Sequence, residues 1–177
     1  MEPIRDKNGL TEAEFLANYN PGKWERPSLT ADICIITDEA EKKILLIRRG
    51  NHPCLGKWAL PGGFSEKGER IEESAARELE EETTIKMDAK DLTLVGVYSK
   101  PGRDPRGWTV SAAYKAVVDP TKVKPIAADD AADAKWFTIS GEGTDDLRFT
   151  ASDLTLRLSD LAFDHCDIIS DALQIKE

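Results

Sequence analysis

Apolar positions along the chain fall into a few dense runs separated by polar breaks. Ala31-Asp32-Ile33-Cys34-Ile35-Ile36-Thr37 is apolar at nearly every position, the pattern of a strand covered on both faces. Lys43–Arg49 repeats it, and the few polar residues between the two predict antiparallel neighbours. Residues 50–68 hold five of the twelve glycines, which predicts a long irregular loop. Ile71–Thr83, rich in Glu, Ala, Leu and Arg, reads as a helix. Strands are expected again over Leu92–Tyr98, Trp108–Val117 and Ala134–Phe137, with a polar loop carrying Asp129, Asp130 and Asp133 before the last. Leu147–Leu158 alternates like a hairpin. The chain closes on a helix over Asp164–Ile175, with Ile168, Ile169, Ala172 and Leu173 on one side.

Residues 1–28 read differently, as an arm. Thr11 and Glu14 make a capping-box pattern that opens a short helix through about Tyr19, and Asn20-Pro21-Gly22 stops it. Strands with one helix in the middle and one at the end predict a mixed α/β fold, taken as a single domain over 1–177.

Length and composition narrow the classes. With 177 residues, 40% hydrophobic and 32% charged, the chain supports one ordinary core. Its net charge of −9 opposes binding to nucleic acid or to an anionic membrane surface. No apolar run approaches the roughly 20 residues of a membrane span, and the first residues lack a secretory pattern. Cys34, Cys54 and Cys166 have no metal-like spacing and read as reduced thiols, so a cytoplasmic protein is expected.

Seven of the fourteen residues from Glu69 to Glu82 are glutamates, against Arg70 and Arg77. An acidic helix is ordinarily a solvated face. Here Glu78 and Glu82 point almost the same way, beside Ile71, Ala75 and Leu79, so they sit at the edge of the buried face. Sheltered carboxylates need a cation, and Mg²⁺ is a hard ion that a few carboxylates hold.

The full spacing adds more. Gly63, five residues, Glu69, seven residues, Arg77-Glu78-Leu79, one residue, Glu81-Glu82, one residue, Thr84-Ile85 resembles the signature box of the Nudix hydrolases. Trp58-Ala59-Leu60-Pro61-Gly62-Gly63 ahead of it is also similar to that family. Only Thr84 departs, where the family has Gly. A β-branched residue adopts the left-handed conformation poorly, so a different helix end with a small shift of Glu82 is expected.

The resemblance implies an α/β/α sandwich with a mixed sheet between helices. It implies Glu78, Glu81, Glu82 and the Gly62 carbonyl as metal ligands for Mg²⁺, with Mn²⁺ as a substitute. Glu81 would serve as a ligand or as proton acceptor, and Glu69 would pair with Arg77 to tie loop to helix. Gly63 lets the backbone approach phosphate. Asp129, Asp130 and Asp133 are candidates for a base on a later loop. Pro101, sixteen residues beyond Ile85, and Gly102–Gly107 resemble the ADP-ribose pyrophosphatase subgroup.

That subgroup's reaction, ADP-ribose plus water giving AMP and ribose 5-phosphate, is the expectation, with a homodimer implied by the same resemblance. Arg48, Arg49, Arg103 and Arg106 are candidates for gripping phosphate or ribose, since guanidinium offers forked donors. For Arg103 and Arg106 a plain surface turn is an equal reading. Trp24, Trp108 and Tyr98 are candidates for an adenine slot, while His52 and His165 read as structural. Two alternatives stand beside this one: hydrolysis of other nucleotides, and a ligand-sensing Nudix-like regulator domain without turnover. Such regulators carry a DNA-binding domain after the closing helix, whereas this chain stops there, at Glu177.

Overall fold

A computed structural model describes residues 3–121, 123, 131–144, 146–152 and 154–175. Its strands are β1 (Ser28–Thr37), β2 (Lys43–Arg49), β3 (Trp58–Ala59), β4 (Gly62–Phe64), β5 (Thr93–Tyr98), β6 (Thr109–Val118), β7 (Ala131–Ser140), β8 (Arg148–Ala151) and β9 (Leu154–Arg157). The helices are α1 (Glu12–Asn18), α2 (Ile71–Thr83) and α3 (His165–Gln174). The strands form one mixed sheet in the order β5-β6-β1-β2-β7-β8-β9, with β1 and β6 parallel and the other pairs antiparallel.

Both faces of β1 are buried because a helix covers each. Ala31, Ile33 and Ile35 pack with Ala75 and Leu79 of α2, whereas Cys34 and Ile36 pack with Ile168, Ile169 and Ala172 of α3. This period-two split explains why the strand is apolar throughout. The expected sandwich of helices about a mixed sheet is what the structure contains.

The glycine-rich stretch departs from the expected irregular loop. β1 and β2 meet at Ile36 and Ile44, while β4 pairs Thr30–Asp32 and β3 pairs Ile47–Arg48. The two short strands therefore fill the gap where β1 and β2 diverge. Their pairing partners lie far away in sequence, so local glycine density does not announce them. Gly62 needs its missing side chain: at φ 153°, an added Cβ would stand 2.2 Å from the Ala31 carbonyl oxygen.

Asp133 lies within β7, which is longer than expected, and pairs with Lys135; Asp129 and Asp130 lie outside the described residues. The arm helix α1 carries its capping box, with Thr11 and Glu14 exchanging bonds. No residue of α1 is buried, and Phe15, Leu16 and Tyr19 are exposed.

Candidate active site

Helix α2 packs Ala75 and Leu79 into the core, and this rotation brings Glu78, Glu81 and Glu82 toward the β4 elbow. They line one cleft of about 380 Å³ together with Gly62, Gly63 and Arg77. At Gly63 an added Cβ would come within 2.3 Å of the Glu78 carboxylate, so glycine lets that side chain lie against the backbone.

Arg77 sits at the centre of the acidic set. Its Nε and Nη2 donate to the two oxygens of Glu69, at 2.8 and 3.2 Å. Its Nη1 donates to Glu78 Oε1 and Glu81 Oε2, at 2.8 and 2.9 Å, and Nη2 also reaches the Phe64 carbonyl at 3.0 Å. The Glu69–Arg77 tie between loop and helix is thus present. That guanidinium, with the Ser74 hydroxyl, holds the Glu69 carboxyl well below the usual range, at about 2.

The other carboxylates are pushed the opposite way. Burial raises Glu78, against the pull of Arg77. Burial pushes Glu82 up to about 8, although the Gly62 N–H donates to its Oε2 at 2.9 Å. Two sheltered carboxylates whose charge is under-compensated are the condition a hard divalent cation relieves. Among the described residues, no three acidic or imidazole groups stand as a ready metal cage. Arg77 holds oxygens of Glu78 and Glu81, and the Gly62 N–H holds one of Glu82. The donor chemistry fits Mg²⁺: Arg77 takes only Oε1 of Glu78 and Oε2 of Glu81, which leaves each a second oxygen for an ion.

Thr84 corrects an expectation. It adopts the left-handed conformation at φ 64°, and its N–H donates to the Glu80 carbonyl at 2.8 Å. The helix therefore ends in the left-handed conformation expected of Gly, with a threonine carrying the strain.

The arginines divide. Arg49 and Arg106 line the cleft, and their guanidinium carbons lie 4.9 and 5.8 Å from the ring centre of Phe163. Arg106 also stacks over Phe64 at 4.7 Å and grips Asp104 with both forks. Arg48 does not line the cleft. Strand alternation turns it opposite to Ile47 and Arg49, and its Nε donates to the Gly56 carbonyl. Arg103 is neither a free phosphate grip nor a surface turn: 5% exposed, it forms a forked pair with Asp164 at 2.8 and 2.6 Å.

Behind the elbow, Asp32 accepts from Ser111 and lies 3.7 Å from Arg103 and 3.6 Å from His165. His165 Nδ1 accepts the Leu60 N–H at 2.8 Å, and burial lowers its pKa, so it is a neutral structural group. Trp24 and Trp108 are exposed, and Tyr98 donates to Asp171; none of the three lines the cleft. Asp32 has a visible sequence signal, one acid inside an apolar strand. Phe163 has none, because its role depends on two arginines more than fifty residues away.

Comparison with known proteins agrees with this geometry. A family pattern described as NUDIX domain matches residues 27–154. The chain is 41% identical over 138 residues to the ADP-ribose pyrophosphatase of Methanocaldococcus jannaschii, covering 78% of this chain and 70% of that one. It is 34% identical over 168 residues to the ADPR responsive transcriptional repressor NtrR of Acinetobacter baylyi, covering 93% of this chain but only 60% of the repressor. The NUDIX domain of Shewanella oneidensis NrtR, solved with ADP ribose, superposes with a TM-score of 0.70 at 32% identity, over 92% of this chain and 97% of that one. The spacing from Gly63 to Ile85, the sandwich and the elbow facing three glutamates all have one explanation: the chain belongs to the NUDIX domain family.

Proposed function

We propose that this Nudix pyrophosphohydrolase cleaves the pyrophosphate bond of ADP-ribose with water, using Mg²⁺ and tolerating Mn²⁺, and releases AMP and ribose 5-phosphate. The reading rests on one observation: Glu78, Glu81 and Glu82 share a cleft with a glycine elbow. The names of the Methanocaldococcus and Shewanella proteins support ADP-ribose as substrate.

Glu78, Glu82 and the Gly62 backbone are the groups assigned to hold the ion, with Glu81 as ligand or proton acceptor. When bound, the ion neutralises phosphate oxygens and lowers the pKa of the attacking water. Arg77 orders Glu78 and Glu81 while leaving each of them a second oxygen with which it would hold the ion. Arg49 presents positive charge across the cleft to the diphosphate, and Arg106, paired with Asp104, lines the cleft beside it. The Glu69–Arg77 pair keeps the elbow against α2.

Incubation of the full chain with ADP-ribose and Mg²⁺ tests the reading, with AMP release followed by chromatography. Turnover supports the enzyme. Tight binding without AMP release favours the second reading, a ligand-sensing domain, which the Acinetobacter repressor motivates. The same proposal places the protein in the cytoplasm as a homodimer. Exposed Ile4, Phe15, Leu16, Tyr19 and Trp24 on the arm support the dimer, and light scattering at micromolar concentration checks it.

A further inference from the structure

A small chamber lies behind the elbow, lined by Thr30, Asp32, Arg49, Gly62, Arg103 and Arg106 among others. It shares Arg49, Gly62, Gly63 and Arg106 with the acidic cleft, so the two spaces adjoin. Thr30 is 6% exposed, and its Oγ1 is the single buried side-chain polar atom without a hydrogen-bond partner among the described residues. An orphaned buried hydroxyl costs free energy unless something occupies the space beside it.

Size and polarity say what that occupant is. The chamber holds about 30 Å³, room for one water or one hydroxyl and too little for a base or a phosphate. Two of its three arginines are already paired, Arg103 with Asp164 and Arg106 with both oxygens of Asp104, and Arg49 faces the acidic cleft as well. Asp32 Oδ2 accepts from Ser111, while its Oδ1 receives no hydrogen bond among the described residues, His165 Nε2 standing 3.6 Å off. The open positions are thus one carboxylate acceptor and one hydroxyl that both gives and takes. An O–H group satisfies the two together.

We infer that this chamber receives one sugar hydroxyl from the ribose 5-phosphate half of the substrate, displacing a water, and that Thr30 is a specificity-determining residue. The inference rests on the proposed hydrolysis of ADP-ribose for the identity of the sugar, and on Thr30, Asp32 and the chamber for the contact. Arg49 and Arg106 border both spaces, so a diphosphate held in the cleft directs its sugar end toward Thr30. Valine at this position keeps the β-branched shape and strand pairing while removing only the hydroxyl.

The experiment compares two substrates on the full chain with Mg²⁺: ADP-ribose, and an ester of ADP with a short alkyl chain that lacks hydroxyls. In Thr30→Val the ratio of kcat/KM, ADP-ribose over alkyl ester, falls about tenfold, the size of one good hydrogen bond. Thr30→Ser restores the ratio to within about twofold. An unchanged ratio with a higher melting temperature overturns the inference, since the hydroxyl then faces only water. Equal losses on both substrates also overturn it, because the effect is then general to the cleft. If the wild-type chain binds ADP-ribose without cleaving it, the hydrolysis reading fails alone. The same ratio is then taken from calorimetric Kd values: a tenfold fall supports the chamber assignment, and no change overturns it.

Discussion

Arg77 and Arg103 are each surrounded by carboxylates, yet they are built for different work. Arg77 spreads its donors over Glu69, Glu78 and Glu81 at the edge of an open cleft and keeps 24% of its side chain exposed. Arg103 gives its fork to Asp164, approaches Asp32, and is 5% exposed. Guanidinium binds carboxylate in the same way in both places. What differs is access. Glu78 and Glu81 can leave Arg77 for another cation, because water reaches the cleft as they turn. Asp164 cannot leave Arg103 without stranding a buried charge, so that pair locks the Pro101–Gly107 loop to the start of α3.

The largest effect breaks the exchangeable side of this comparison. Glu82→Gln lowers AMP release by ~10²-fold or more, because a carboxylate assigned to the ion is lost. The same variant flattens a pH dependence. A carboxyl raised from its ordinary value to about 8 by burial contributes stability below about pH 4.5, which is lost as pH rises through 8. The metal-free wild type therefore melts roughly 5 °C lower at pH 9 than at pH 6, Mg²⁺ restores most of the difference, and Glu82→Gln removes it. A wild-type melting curve indifferent to both pH and Mg²⁺ contradicts the buried-charge account.

Next comes the pair itself. Arg103→Met leaves Asp164 uncompensated and costs about 3–5 kcal/mol in denaturant unfolding. Arg77→Met costs ~1 kcal/mol, as a partly exposed network does, but disorders the glutamates and lowers turnover more than Arg103→Met does in the protein that remains folded. Equal stability losses for the two would erase the distinction between locked and exchangeable.

The smallest effect sits at the helix end. Thr84→Gly relieves a left-handed β-branched residue and raises stability by about 1 kcal/mol, or ~2–4 °C in melting temperature, offset in part by the entropy of glycine in the unfolded chain. Melting the two proteins side by side checks it, and a lower midpoint for the variant shows the threonine to be unstrained.

Local spacing made much of this molecule legible. The helix over Ile71–Thr83, the capping box at Thr11 and Glu14, and the strand at Lys43–Arg49 are where the pattern places them, because each depends on neighbours within a few positions. The common direction of Glu78 and Glu82 follows from helical periodicity in the same way, whereas the Glu69–Arg77 tie joins a residue ahead of the helix to the helix and was implied by the family resemblance alone. Strands β3 and β4 were not legible, since they exist by pairing with residues at 30–32 and 47–48. Arg48 and Arg49 are equivalent in composition, and only the pleat of β2 inside the sheet selects Arg49 for the cleft. Arg103 shows the same limit: its partner Asp164 lies 61 residues on.

By itself, then, the order of residues determined that Glu78 and Glu82 share the sheltered side of an acidic helix, because helical periodicity sets their directions; that this side faces the glycine elbow was implied by the family resemblance and is fixed by the pairing of β4 with β1. Which arginines reach that cleft, which are locked away, and that Thr30 and Asp32 enclose a small polar chamber behind it were decided by tertiary structure. Those contacts join β1, the Pro101–Gly107 loop and α3, and the distances between such segments depend on how the sheet and its two helices pack.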